Sequence, residues 1–109
     1  MSLFEPSLTL VIPAFNEAEN LQFVLPEALR FIAERCVSCQ ILLIDDGSSD
    51  ATAKVAAEFA AEQPERLRII THPHNQGLTA ALRSGFFGAH SELVTWIPAD
   101  GQIAVSELD

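Results

Sequence analysis

Ile41-Leu42-Leu43-Ile44 runs directly into Asp45-Asp46-Gly47-Ser48-Ser49-Asp50. Four consecutive apolar residues suit a strand covered on both faces, the environment of a parallel sheet. Two carboxylates at its tip have left that core for a crevice, and Gly47 lets the backbone turn sharply after them. Ser48, Ser49 and Asp50 are residue types that cap a following helix. Open α/β sheets bind ligands at the carboxyl ends of their strands. Two adjacent acids repel a bare phosphate and suit a ribose, a base edge or a metal ion, which points to nucleotide chemistry.

Working outward, strand and helix patterns alternate with little chain between them. Leu8-Thr9-Leu10-Val11-Ile12 reads as a strand that Pro13 ends, because proline cannot donate to a ladder. From Ala18 the period turns helical, with Leu21, Val24, Leu25, Ala28, Leu29 and Ile32 on one face; Pro26 either kinks that helix or marks a late start to its regular part. Gln40–Ile44 is the second strand. Ala51–Gln63 is an alanine-rich helix with Val55, Ala56, Phe59 and Ala60 inward, stopped by Pro64. A strand over Leu67–Thr71, a helix over Leu78–Gly88 and a strand over Leu93–Ile97 follow. This alternation predicts an α/β fold: a Rossmann-like, mainly parallel sheet with flanking helices and right-handed crossovers. Phe86, Phe87 and Trp96 are expected in the core or covering the sheet.

The chain has 109 residues, 49% of them hydrophobic, enough for one domain with a real core. A net charge of −9 argues against nucleic acid and anionic membrane surfaces as partners. Cys36 and Cys39 form a single CxxC with no second pair to complete a zinc ribbon; they read as structural thiols in a reducing cytoplasm. No apolar run is long enough to cross a membrane. Ile103–Asp109 reads as the first turn of another helix, so residues 1–109 are expected to be a single domain forming the front part of a longer protein.

Polarity concentrates in four loops, each after a strand: Pro13-Ala14-Phe15-Asn16-Glu17, Asp45-Asp46-Gly47-Ser48-Ser49-Asp50, His72-Pro73-His74-Asn75-Gln76-Gly77 and Pro98-Ala99-Asp100-Gly101-Gln102. All should open on one edge of the sheet. In this order and spacing, from Leu8 to Gln102, they resemble the family 2 glycosyltransferases, above all the subgroup like dolichyl-phosphate mannose synthase, which transfers a sugar to a polyprenyl phosphate. The resemblance implies a GT-A-type fold, a UDP- or GDP-sugar donor and a divalent metal, Mg2+ or Mn2+.

By that resemblance Pro13, Ala14, Phe15 and Glu17 line the base pocket, with Phe15 where the family often has tyrosine, so that a stacking surface remains without a phenolic hydroxyl. Asp46 holds the base or ribose, with Asp45, Gly47 and Ser48 in the same loop; Asn75 and Gly77 bring the third loop close to the donor. The family's Asp-x-Asp metal signature matches at Asp100, followed by Gln102, while Pro98 replaces the first aspartate. Losing that carboxylate should weaken metal binding in the absence of nucleotide. Metal-assisted departure of the diphosphate and inversion at the sugar carbon follow from the family.

A polyprenyl phosphate is the expected acceptor, being already a nucleophilic anion. A saccharide acceptor is the alternative and requires a catalytic carboxylate as base. The resemblance implies that such a base lies beyond the last strand of this sequence, and no catalytic residue is assigned. A non-catalytic nucleotide-binding or regulatory module of the same fold stays open, with Pro98 recording lost metal chemistry. A receiver-like domain, a third reading suggested by the acidic tip at Asp45-Asp46, requires a phosphorylatable aspartate after the third strand and a lysine after the fifth, and this sequence offers neither. Lys54 and Arg83 read as solvated helix residues, Asp50 as a helix cap, Glu19 as favouring the helix dipole, and His72 and His74 as a surface turn about Pro73. The expected setting is cytoplasmic, at the face of a membrane reached through parts outside this chain, with self-association through an exposed sheet edge.

Overall fold

The structure, a computed structural model, describes residues 7–35 and 38–100. Seven elements follow in order: β1 (Leu8–Ala14), α1 (Ala18–Arg35), β2 (Gln40–Asp45), α2 (Thr52–Glu62), β3 (Leu67–Thr71), α3 (Leu78–Gly88) and β4 (Leu93–Trp96). The strands form one parallel sheet in the order β3-β2-β1-β4. Leu10 sits opposite Ile41 on one side of β1, and Val11 sits opposite Trp96 on the other.

Alternation along the strands divides the core in two. Leu10, Ile12, Ile41, Leu43 and Leu67 point to the face covered by α1 and α2, where they meet Leu21, Leu25, Ala28, Ile32, Val55 and Ala56. Val11, Leu42 and Ile44 point to the other face, against Ala81 of α3. Gly85 of α3 allows that helix to lie close: a Cβ there would sit 2.4 Å from Cγ1 of Val11. Phe59 and Ala60 of α2 are partly buried against the larger cluster, as the helical period predicts. Among the described residues no helix is long and apolar enough to cross a membrane.

Four expectations need correction. Pro13 does not end β1, which runs on to Ala14. The amides of β1 alternate sides: Ala14 accepts from Asp46 on the β2 side, and Val11 accepts from Ile97 on the β4 side. Pro13 therefore faces β4 with its missing N–H, just where β4 has ended. Pro26 does not delay α1, which is continuous from Ala18 to Arg35. Its ring is exposed, so the unpaired carbonyl one turn earlier, on exposed Gln22, can meet water.

Phe86, Phe87 and Trp96 are not core: their exposures are 48%, 81% and 39%. Gly85 fixes which side of α3 meets the sheet, and Phe87 then lies roughly 200° further round the helix. Trp96 is on the edge strand, and α3 packs over β1 and β2 instead. Cys39 is buried at the foot of β2 and is disulfide-bonded, so it is not a free thiol. Gln102 and the helical turn expected over Ile103–Asp109 lie outside the described residues.

Candidate functional site

Strand order turns back between β1 and β4. The chain steps from β1 outward to β2 and β3, then returns to the far side of β1. The helix leaving β1 (α1) and the helix leading into β4 (α3) cover opposite faces of the sheet, which leaves a crevice at the carboxyl ends of β1 and β4, the switch point of an open α/β sheet. A cleft of about 460 Å³ lies there, walled by Pro13, Phe15 and Glu17 after β1, by Trp96, Pro98, Ala99 and Asp100 after β4, and by Leu78 at the start of α3. A smaller hollow of about 220 Å³ shares Pro13, Phe15 and Leu78 and adds Ala14, Asp46, Asn75, Gly77 and Ala81.

The first, third and fourth loops thus meet around Phe15, whose ring is 44% exposed. Pro13, Ala14, Phe15, Glu17, Asp46, Asn75, Gly77 and Asp100 all line one or both hollows. Asp45, Gly47 and Ser48 stand behind them. Glu17 accepts a hydrogen bond from Nδ2 of Asn20 at 2.7 Å through one carboxylate oxygen.

Asp46 is buried, and its carboxylate gathers the third loop. Oδ1 accepts from Nδ1 of His72 (2.7 Å) and the N–H of Gln76 (3.0 Å). Oδ2 accepts from the N–H of Gly77 (2.8 Å) and Nδ2 of Asn75 (3.2 Å). Burial, the largest single influence, pushes this carboxyl's pKa upward. Hydrogen bonds from His72, Gln76 and Gly77, with the charge of His72, together outweigh it and hold Asp46 below its ordinary value.

Asp45 ties down the second loop, accepting from the N–H of Ser48 at 3.1 Å. Asn16, with φ of 55°, bridges the first loop to the second: its Oδ1 accepts from the N–H groups of Ser49 (2.8 Å) and Asp50 (3.2 Å), and its own N–H donates to Oγ of Ser48 (2.9 Å). Asparagine tolerates this left-handed conformation better than most residues. Asp50 caps two helix starts at once, accepting from the N–H of Thr52 (2.9 Å) and of Ala18 (3.3 Å). The side-chain hydrogen bond from Thr52, ahead of an opposing desolvation, and the backbone bonds keep its carboxyl below the ordinary value. Thr52 is itself buried and accepts from the N–H of Glu17 at 2.9 Å.

Asn16, Thr52, His72 and Ser84 are the residues that pattern reasoning passed over. Only His72 overturns a reading: His74 is exposed, but His72 is buried with both ring nitrogens bonded, to Asp46 and to Oγ of Ser84 (2.8 Å). Its position directly after an apolar strand was the available signal. Gly47 and Gly77 both have positive φ, 71° and 96°. A Cβ on Gly47 would stand 2.2 Å from the carbonyl carbon of His74, whereas one on Gly77 would meet nothing within 4 Å.

Among the described residues no three His, Cys, Asp or Glu side chains cluster as a metal site. Asp100 is exposed at the cleft wall, and Pro98 precedes it. One carboxylate at that wall suits a hard cation such as Mg2+, which commonly takes one or two carboxylates and completes its shell with water and substrate phosphates. The residues present therefore fit a metal held jointly with a ligand rather than one held by protein alone. Lys54 and Arg83 are exposed, and neither lines the cleft.

A doubly wound parallel sheet with its crevice at the β1/β4 switch point has its ligand-binding edge there, and its fold is that of the GT-A glycosyltransferases. The chain belongs to the Glycosyl transferase family 2, whose sequence profile matches residues 9–108. It is 33% identical over 100 residues to the dolichyl-phosphate beta-glucosyltransferase of Mus musculus, covering 86% of this chain and 31% of that protein. It is 31% identical over 116 residues to one from Trichomonas vaginalis, covering 99% and 36%. The chain thus spans about a third of the length of the curated relatives it matches. Among solved structures, the mannosyltransferase PcManGT of Pyrobaculum calidifontis, in complex with GDP-Man and Mn2+, superposes with a TM-score of 0.80 at 22% identity, over 90% of this chain and 28% of that one. Mannosyl-3-phosphoglycerate synthase of Rubrobacter xylanophilus gives 0.68 at 24% identity, over 87% and 31%.

Proposed function

We propose that this chain supplies the donor cleft of a glycosyltransferase that moves a hexose from a UDP- or GDP-sugar to a polyprenyl phosphate, with inversion. The observation that carries the proposal is the meeting of Phe15 and Asp100 across the β1/β4 switch point. An exposed aromatic ring on one wall offers a stacking surface for a base. A carboxylate on the other wall marks where the diphosphate would lie. The names of the relatives, dolichyl-phosphate beta-glucosyltransferases, support the lipid-phosphate acceptor.

In this reading the base stacks on Phe15 beside Pro13, within reach of Glu17 and the Asp46 loop. Small residues at Ala14 and Gly77 keep the hollow open for it. Asp100 and Gln102 would hold Mg2+ or Mn2+, which supplies neutralising charge for the departing diphosphate. An acceptor phosphate oxygen forms the new bond to the anomeric carbon as the bond to the donor's β-phosphate oxygen breaks, releasing the nucleoside diphosphate. That oxygen is already anionic, so no general base is required of this chain. The lipid acceptor sets the proposed location, the cytoplasmic face of a membrane, with membrane contacts made by parts of the protein outside this chain.

Calorimetric titration with UDP and GDP, each with and without Mn2+, tests the proposal. Binding of one nucleotide, tightened by metal, is the expected result. Absence of binding by a chain shown to be folded would refute it.

A further inference from the structure

We infer that His72 is a positioning residue for the donor cleft, holding Asp46 and the third loop in register by bridging β2 to α3 through Ser84. The inference rests on the donor-site reading above for its consequence in binding, and on the hydrogen bonds alone for its structural part. A carboxylate has two oxygens and about four acceptor sites, and Asp46 already receives four donors from His72, Asn75, Gln76 and Gly77. Three of those donors belong to residues 75–77, and two of these residues, Asn75 and Gly77, line the hollow beside Phe15. The carboxylate's orientation therefore sets the shape of that wall.

What fixes the orientation is His72. Asp46 is ionised and can only accept, so Nδ1 of His72 carries the proton between them. At the other end of the ring Nε2 is hydrogen-bonded to Oγ of Ser84 across 2.8 Å. Both ends of the imidazole are held, one by the tip of β2 and one by the middle of α3. The ring is buried, so no water replaces either bond at low cost. Neither His72 nor Ser84 lines the donor cleft or the hollow beside it. They act on ligand only through Asp46.

Three variants of the 109-residue chain test this. Amide hydrogen exchange at Gln76 and Gly77 reads the loop directly, and nucleotide titration reads the wall. His72→Leu should speed exchange at both amides at least tenfold relative to amides of β1, and weaken nucleotide binding by about tenfold or more. His72→Asn keeps an N–H close to the Nδ1 position and should restore protection and affinity to within about threefold of the parent chain. Ser84→Ala frees the far end of the ring and should give an intermediate loss; it also serves if His72→Leu does not fold. Unchanged protection in His72→Leu, or in Ser84→Ala where that stands in, would overturn the inference. So would failure of a folded His72→Asn to recover, since the role would then be packing. If the parent chain binds neither UDP nor GDP, the donor-site reading fails, while the exchange data still decide the role of His72.

Discussion

Alanine at Gly47 and at Gly77 should have different consequences, although both glycines sit at positive φ between a strand and a helix. Both carry backbone strain: about 1–2 kcal/mol for an L-residue at the φ of 71° of Gly47, and about 1–3 kcal/mol at Gly77, whose φ of 96° and ψ of 165° fall where essentially only glycine sits. Gly77→Ala should lose only that, because its new methyl would meet nothing within 4 Å. Gly47→Ala adds a collision. Its Cβ would stand 2.2 Å from the carbonyl carbon of His74, 2.4 Å from the nitrogen of Asn75 and 2.6 Å from Cα of His74, all backbone atoms. Carbon atoms pack best at roughly 3.5–4.0 Å, so the third loop must retreat by more than about 1 Å. Overpacking of that kind costs about 1–3 kcal/mol, giving a total near 2–5 kcal/mol for Gly47→Ala. Urea unfolding of the two variants measures the difference through their midpoints at a common slope. Nucleotide titration should also find Gly47→Ala weaker, because the displaced segment includes Asn75 at the cleft. Equal midpoints for the two variants would refute the claim that the second and third loops are in backbone contact.

Phe15→Ala should weaken nucleotide binding by about 1–3 kcal/mol, the usual worth of a base stacked on an aromatic ring, while its half-exposed position keeps the stability change within about 0.5 kcal/mol; calorimetry and thermal unfolding check the two halves. Asp100→Ala should leave metal-free nucleotide affinity unchanged and abolish its tightening by Mn2+, as read by paired titrations. Asp46 has a folded pKa below its ordinary 3.8, so the stability it contributes is present above that value and is lost as pH falls through the folded one. Asp46→Asn should therefore be less stable than the parent by about 1–3 kcal/mol at pH 7, with the gap closing below pH 3.8, as followed by denaturant midpoints across that range.

Alternating strand and helix patterns, the four polar loops and the acids at the tip of β2 were legible from the amino-acid order, because each depends on neighbours a few residues away. The second and third helices were placed within a residue at each end, and the first at its Ala18 start. The four loops did emerge on one edge, as parallel strands require. Proline 13 misled because its effect depends on which neighbour its missing N–H faces, and that is set by where β4 stops. The aromatic residues of α3 and β4 misled for a related reason. Hydrophobicity says that Phe86, Phe87 and Trp96 favour burial, but only packing shows that Gly85 and Ala81 take the contact face of α3 and leave the phenylalanines outside.

The site divides along the same line. Candidate side chains could be named from their loops, since turn chemistry and strand tips are local properties. Strand order β3-β2-β1-β4 is not local, and it alone brings Phe15 at the start of the chain opposite Asp100 near its end. The hydrogen bonds of Asp46 are likewise a product of folding: His72 reaches it only because β3 lies beside β2, and Ser84 reaches His72 only because α3 crosses over the same strands. Sequence determined which residues can do donor chemistry, since that is a matter of side-chain type and local turn. The tertiary structure decided which of them meet, since strand pairing over long chain separations rests on contacts that no local pattern encodes.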